Sequence, residues 1–351
     1  MAELVETETA EVQSPEAGKK KGLTGTAIKM IALVAMFIDH FAAIVLTDYL
    51  NKVTPEDLAP EQSQAWFSEH PGVALLNVIM GIMRLIGRFG FPLFVFLIVE
   101  GFQHTRSVKK YAMNLAIFAL VSELPFNLGF RSRLLAPEYQ NVFFTLLLGL
   151  LCITFIRLLA EQNRDNEKLR PLFYLAAFLA WPLLLYAVLF QSIPGYVVVI
   201  MTKLNEMQAP VFVILFLSAA LISLLLFLLI GAKWDTARRN TFSGIILPLS
   251  LFGMIAELLT TDYSFVGVLT IVVMYLLRKN KTLAFSMACL TLTINNPSEV
   301  TAFLMLIPIA KYNGERGMKV NKYLFYAFYP VHIGLLYVLA FLAGFTGFAL
   351  K

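Results

Sequence analysis

Residues 28–45 read IKMIALVAMFIDHFAAIV, an apolar run broken only by Lys29, Asp39 and His40. Extended to 26–48, the run is long enough to cross a bilayer core of about 30 Å as a helix rising 1.5 Å per residue. It therefore predicts a membrane span with ionisable groups inside it. The rest of the chain agrees. Its 351 residues are 58% hydrophobic and 15% charged, whereas a soluble domain is roughly 45–50% apolar and about 25% charged. These figures exclude a soluble enzyme and a nucleic-acid-binding module, although the net charge is +5.

Further apolar runs occur near 89–103, 110–129, 142–160, 172–191, 211–231, 242–259, 264–277, 283–295, 299–310 and 323–347. The expected fold is an all-α polytopic transmembrane bundle of about ten or eleven spans. Residues 72–87 are expected to form an amphipathic helix in the interface, and 193–209 are too polar and brief for a span. Asn295, Asn296, Pro297, Ser298 and Glu299 predict a tight hairpin or re-entrant turn between two short runs. Residues 1–24 carry acidic groups followed by Lys19, Lys20 and Lys21. They read as a disordered cytoplasmic tail before one multi-span domain at 25–351. Cys152 and Cys289 lie within apolar runs, so neither a disulfide framework nor a metal site is expected.

Basic residues orient the bundle. Segments 19–29, 106–110, 157–170, 233–239, 278–281 and 311–322 hold 21 of the 28 Lys and Arg residues. With the N-terminus in the cytoplasm all six fall on the cytoplasmic side, as positive charge in short loops requires.

Ionisable groups within spans are costly and usually serve a site. Lys29 and His40 are eleven positions apart, about 16 Å and slightly over three turns, and so share a helix face. That spacing suits a base deep in the membrane with a cation at its entrance for a phosphate. Their plainer reading is an interfacial anchor and a hydrogen-bonded packing histidine. Arg84 and Arg88 form a second pair, four positions apart. Gly87, Gly90 and Pro92 break the helix there and free backbone groups to line a cavity. Snorkelling to the interface is the alternative for both arginines. Glu123 precedes Pro125 within a span; its plainer reading is a partner for an intramembrane arginine, which would itself help build a site. Asp262 is expected in a turn at the outer boundary. His332 lies behind Pro330 in the last span, as a ligand or a packed ring. KYNGERG at 311–317 is a turn whose backbone amides could hold phosphate.

The strings MFIDHFAAIV (36–45), RLIGRFGFPLFVFLIVEGFQHTRSVKKY (84–111), SELPFNL (122–128), NVFFTLLLGLL (141–151), TDYSFVGVL (261–269) and IAKYNGERGMKVNKYLFYAFYPVHIGLLYV (309–338) resemble the TraX family of integral membrane proteins. The likeness runs in order from about residue 28 to 340 and is weaker at 160–240. The family's namesake is associated with N-terminal acetylation of conjugative pilin. The Lys29-to-His40 spacing also resembles acyltransferase-3 proteins, which usually carry arginine at the first position and take acyl groups from cytoplasmic acyl-CoA.

The resemblance implies an acetyl-CoA-dependent transmembrane acetyltransferase of the cytoplasmic membrane. Its acceptor would be an amine or hydroxyl on a peptide, glycan or lipid, including the N-terminus of a pilin-like peptide. His40 is then the expected base, oriented by Asp39, Glu123 or Asp262, with Asp39 ranked first by proximity. Lys29, Arg106, Lys109, Lys110 and Arg316 are expected at the acetyl-CoA phosphates. Arg84, Arg88, Asp262 and His332 are expected on the acceptor side. No metal or nucleic acid enters this reading. Two other classes compete with it: a transporter or channel with a His/Arg/Glu relay, and a non-catalytic pilus assembly factor.

Overall fold

A computed structural model describes residues 21–55, 59–185 and 208–347, and they form a bundle of helices. Helix α1 (Gly25–Val53) starts where the Thr24 hydroxyl accepts from the Ala27 N–H at 3.3 Å and widens into a π-helical turn over Phe41–Leu46. A short α2 (Pro60–Glu69) leads to α3 (Pro71–Gly87) and α4 (Gly90–His104), separated by a turn at Arg88 and Phe89. Then come α5 (Val108–Arg131), α6 (Val142–Gln162), α7 (Arg170–Leu185) and α8 (Gln208–Gly231). The chain finishes with α9 (Thr236–Leu258), α10 (Ser264–Leu276), α11 (Lys281–Asn295), a 3₁₀ segment (Pro297–Met305), α12 (Leu306–Ala310) and α13 (Lys322–Leu342). Residues 1–20 of the expected 1–24 tail and 193–207 of the 193–209 stretch lie outside the described residues; the tail's last residues depart from the expected disorder, with the Leu23 N–H donating to the Lys311 carbonyl at 2.8 Å.

The protein is thus an all-α bundle with the lengths and composition of a polytopic membrane protein. Six described helices are long and apolar enough to cross a bilayer: α1, the α3–α4 pair, α5, α6, α9 and α13. Leu217–Gly231, α10 and Pro297–Ala310 are apolar but shorter. Helices α4, α10 and α11 rise only about 20–22 Å each, less than a bilayer core. The expected turn at 295–299 is present. Asn296 caps it by accepting from the Ser298 N–H at 3.1 Å, and the following segment packs back on α11. The Lys281 ammonium donates to the Tyr312 carbonyl and closes the open end of this hairpin.

One sequence expectation needs correcting. Residues 72–87 do not stand apart as a surface-lying helix. They form α3, which packs on the second half of α1. Arg84 meets Asp39, and the Thr47 hydroxyl lies 3.4 Å from the Met80 sulfur. Its amphipathic pattern arises because this face carries Arg84 inward, while Leu75, Val78 and Ile82 remain exposed on the other side.

The basic segments converge at one end of the bundle, through polar contacts that tie each loop to the next. Leu23 bridges to Tyr312, whose hydroxyl donates to Glu100 at 3.2 Å. Arg278 pairs with Glu161 at 2.9 Å, and the Thr236 hydroxyl donates to Glu167. Contacts of the opposite end include the Gln140–Thr261 bridge and the Lys52 ammonium on the Gly344 carbonyl at 2.7 Å. Cysteines introduced at Gly314 and at Glu138 are expected to react with an impermeant thiol reagent from opposite faces. Labelling of Gly314→Cys from the cytoplasmic face fixes the N-terminus inside; labelling from outside reverses the bundle.

Candidate functional site

The π-helical turn begins one residue after His40, whose ring turns toward α13. His40 Nδ1 and His332 Nε2 are 2.7 Å apart, with the two rings nearly coplanar at 3°. His332 Nδ1 lies 2.6 Å from the Phe328 carbonyl, which can only accept, so that nitrogen carries the hydrogen. With both rings neutral, His332 Nε2 is a lone-pair acceptor and His40 Nδ1 must donate to it. His40 Nε2 is left with its lone pair and no protein partner among the described residues. These assignments follow from the hydrogen-bond network. Both histidines are buried, His40 at 9% and His332 at 4% exposure. Phe130 and Tyr329 stand edge-on to the His40 ring.

The carboxylates expected to orient His40 are placed elsewhere. Asp39 is adjacent to His40 but rotated by about 100° on the helix, so it faces α3 and binds Arg84 at 2.6 Å. Glu123 accepts from the Asn141 backbone N–H at 3.1 Å and from its side-chain amide at 2.5 Å. No arginine is needed there. Asp262 lies in the α9–α10 turn and accepts from the Tyr139 hydroxyl at 2.8 Å. His332 takes the orienting position instead. The sequence alone places His332 on the acceptor side or as a packed ring, not beside the base.

Arg84 and Arg88 both enter the bundle and diverge at the α3–α4 break. Arg88 pairs with Glu299 at 3.0 Å, and Glu299 is only 2% exposed. Asp39, Glu299 and Asp262 lie within electrostatic range of one another and of Arg88. Tyr263 joins this group while its ring stacks on Phe91 at 3.8 Å. Glu299, Tyr263 and Tyr139 are the residues that sequence reasoning assigned no role. Glu299 carried a usable signal, an acid just after a turn and inside an apolar run.

Lys29 faces the same helix as His40, its ammonium 5.1 Å above the Phe325 ring and within electrostatic range of Arg316. It makes no ion pair among the described residues. Arg106, Lys109 and Lys110 are exposed on the turn into α5, also without an ion pair among the described residues. The 311–317 turn departs from the expectation of free amides. The Asn313 N–H donates to the Leu23 carbonyl at 2.9 Å and the Glu315 N–H to the Asn313 side chain at 2.9 Å. Carbonyls of Glu315 and Arg316 in turn accept from Gly25 and Thr26 at 2.8 and 2.9 Å, strapping the turn across the start of α1. A shallow groove beside it, lined by Glu100, Gln103, Arg278 and Lys281, runs between α4, α10 and α11.

The family model described as TraX protein matches residues 24–201 and 215–340, which include every site residue above. The chain belongs to the TraX family. It is also similar to "Probable fimbrial assembly protein FimC, serogroup H1" of Dichelobacter nodosus, at 22% identity over 312 residues, covering 88% of this chain and 92% of that protein. No solved structure matches. This TraX-family chain is accordingly a membrane protein of a pilus-related family.

Gly87 makes the Asp39–Arg84 pair possible. A Cβ there would lie 2.1 Å from Asp39 Oδ1 and 2.4 Å from its Cβ, so the clash is with the root of the side chain as well as its tip. Gly87→Ala is expected to force α1 and α3 apart, costing roughly 1–3 kcal/mol as overpacking does. A lowered unfolding temperature in detergent checks this, with Gly81→Ala as the control, since nothing lies within 4 Å of a Cβ at that position.

Proposed function

We propose that this protein is a membrane-embedded acetyltransferase that moves an acetyl group from cytoplasmic acetyl-CoA to an amine or hydroxyl acceptor, such as the N-terminus of a pilin-like peptide. The observation that carries the reading is the His40–His332 pair. It leaves one imidazole nitrogen with a lone pair, free of protein partners and inside an apolar bundle, as a general base requires. The TraX membership and the fimbrial assembly name of the similar protein support the acceptor class.

In this reading the N-terminus and the basic end face the cytoplasm, in the cytoplasmic membrane. Acetyl-CoA approaches from the basic end. Lys29, Arg316, Arg106, Lys109 and Lys110 meet its phosphates, and the pantetheine arm runs along α1 toward His40. The acceptor enters from the opposite end, past Arg84, Arg88 and Asp262. The acceptor nitrogen or oxygen attacks the thioester carbonyl carbon. Its proton passes to His40 Nε2, and the new bond to the acetyl carbon forms as the C–S bond breaks. His40 returns the proton to the leaving thiolate, giving the free thiol of CoA. Arg84 spends one N–H on Asp39 and keeps others for the oxyanion.

Purified protein incubated with isotopically labelled acetyl-CoA and candidate acceptors, read by mass spectrometry, tests the activity directly. His40→Ala is expected to lose roughly 10²–10⁴-fold in turnover while still inserting and folding. His332→Ala is expected to be milder, because His40 keeps both nitrogens and loses only its fixed tautomer. Near-normal turnover in folded His40→Ala overturns the mechanism.

Lys29 tests the entrance. A charge-assisted contact contributes about 1.5–3 kcal/mol, so Lys29→Ala is expected to weaken acetyl-CoA binding about ten-fold or more. Lys29→Arg keeps the charge and is expected to bind normally. An alanine variant with lower membrane yield but unchanged affinity makes Lys29 an anchor instead.

A further inference from the structure

Helices α4, α10 and α11, each shorter than a bilayer core, meet in a shallow groove at the basic end of the bundle. Its floor is apolar and buried: Phe96 and Val99 from α4, Met274 from α10 and Ala284 from α11. Its rim carries charge of both signs. Glu100 stands on the α4 side, and Arg278 and Lys281 stand on the α10–α11 side. Glu100 lies one turn inside the end of α4, and Lys281 is the first residue of α11. These charges therefore sit at the level where a short span draws the head-group layer of the membrane inward.

The opposite charges are held apart rather than paired. One residue does this from both sides: the Tyr312 carbonyl accepts from the Lys281 ammonium, and the Tyr312 hydroxyl donates to Glu100 at 3.2 Å. Neither Glu100 nor Lys281 makes an ion pair among the described residues. Arg278 is fixed beside them. Its guanidinium lies 3.9 Å over the Tyr275 ring and donates to the Tyr275 carbonyl at 2.8 Å and to Glu161 at 2.9 Å. A guanidinium has five N–H donors and an ammonium three, so both cations keep donors for an anion. A lone phosphate would meet these two cations but also Glu100. A lone ammonium would meet Glu100 but also the two cations. A ligand that carries both charges answers both sides of the rim. It would also have an apolar body, for which the adjoining face of α11 offers Leu283, Met287, Leu290 and Ile294, all exposed and at helical spacing.

We propose that the groove between α4, α10 and α11 is a binding site for a zwitterionic phospholipid with a primary ammonium head, a phosphatidylethanolamine. Arg278 and Lys281 take its phosphate, Glu100 accepts from its ammonium, and Tyr312 keeps the two sides in register. The acyl chains lie along the exposed stripe of α11. A choline head carries the same two charges without N–H donors, and a glycerol head carries the phosphate without the ammonium, so the rim selects against both. The site shares no residue with the histidine pair and does not depend on acetyl transfer.

Thermal unfolding of the full chain in detergent, with added dioleoyl phosphatidylethanolamine, phosphatidylcholine or phosphatidylglycerol, tests the proposal without any variant. The ethanolamine lipid is expected to stabilise the protein at concentrations at least five-fold lower than either of the others. Equal potency of the three, or the strongest response to phosphatidylglycerol, overturns the site. Glu100→Gln keeps an acceptor for the Tyr312 hydroxyl and is expected to bring the three lipids within two-fold of one another. A folded Glu100→Gln protein that retains the full ethanolamine preference places that preference elsewhere and overturns the groove. Lys281→Gln is expected to weaken the responses to phosphatidylethanolamine and phosphatidylglycerol alike. Because Lys281 also closes the α11 hairpin, Glu100→Gln is the variant that decides. Free O-phosphoethanolamine at the same concentrations is expected to leave the unfolding temperature unchanged. Stabilisation by it equal to that of the lipid makes the groove a soluble-ligand site and refutes the proposal.

Discussion

An ionised group inside an apolar helix bundle persists only where another group answers its charge, because removing it from water costs several kcal/mol. That constraint shapes this protein more than any single hydrophobic contact. Asp39 and Arg84 fasten α1 to α3, and Arg88 and Glu299 fasten the α3–α4 break to the hairpin beginning at α11. Helices that would otherwise slide on one another, as apolar helices in lipid can, acquire a defined register from these pairs. Small residues then allow close approach. At Gly244 an added Cβ would meet the Ala160 backbone nitrogen at 2.6 Å, so α9 presses directly on the backbone of α6.

Much of the fold was legible in the sequence because lipid allows so few solutions. Backbone polar groups must be satisfied within the segment, so long apolar runs can only be helices. The Gly87–Pro92 break and the Asn296–Pro297 turn were equally legible, since Gly and Pro act locally. The placement of 72–87 was not. A helix with one charged face reads the same whether that face meets water or a carboxylate on a neighbour, and only Asp39 distinguishes the two.

The site was legible by residue and less so by pairing. His40, Asp39, Arg84, Arg88, Glu123, Asp262 and His332 were all singled out by the cost of charge in a membrane. Their partners depend on contacts across 18 to 292 positions of sequence, and no periodicity encodes such distances. Ranking Asp39 as the orienter of His40 followed sequence adjacency, which on a helix separates side chains. His332 was the better candidate because helix packing, not chain order, brings rings together. The 311–317 turn teaches the same lesson from the backbone side. A glycine-rich loop suggests open amides, but here several of its polar groups are consumed in holding the first turn of α1.

The π-helical turn at Phe41–Leu46 has a consequence for how the two halves of α1 are linked. Its wider winding, closed by the Thr47 N–H on the Ala42 carbonyl, accommodates one residue more than an α-helix would over the same length. Removing one alanine of the Ala42–Ala43 pair would let the segment wind as ordinary α-helix. His40 and Asp39 precede the change and would keep their directions. Thr47 and Tyr49, and the contacts they make with Met80 and Phe345, would keep theirs as well, because the deletion takes out the residue that the wider turn absorbs. The wider turn therefore works as a phase corrector: wound as plain α-helix, the same sequence would carry Thr47 and Tyr49 about 100° round the rod from the partners they now meet.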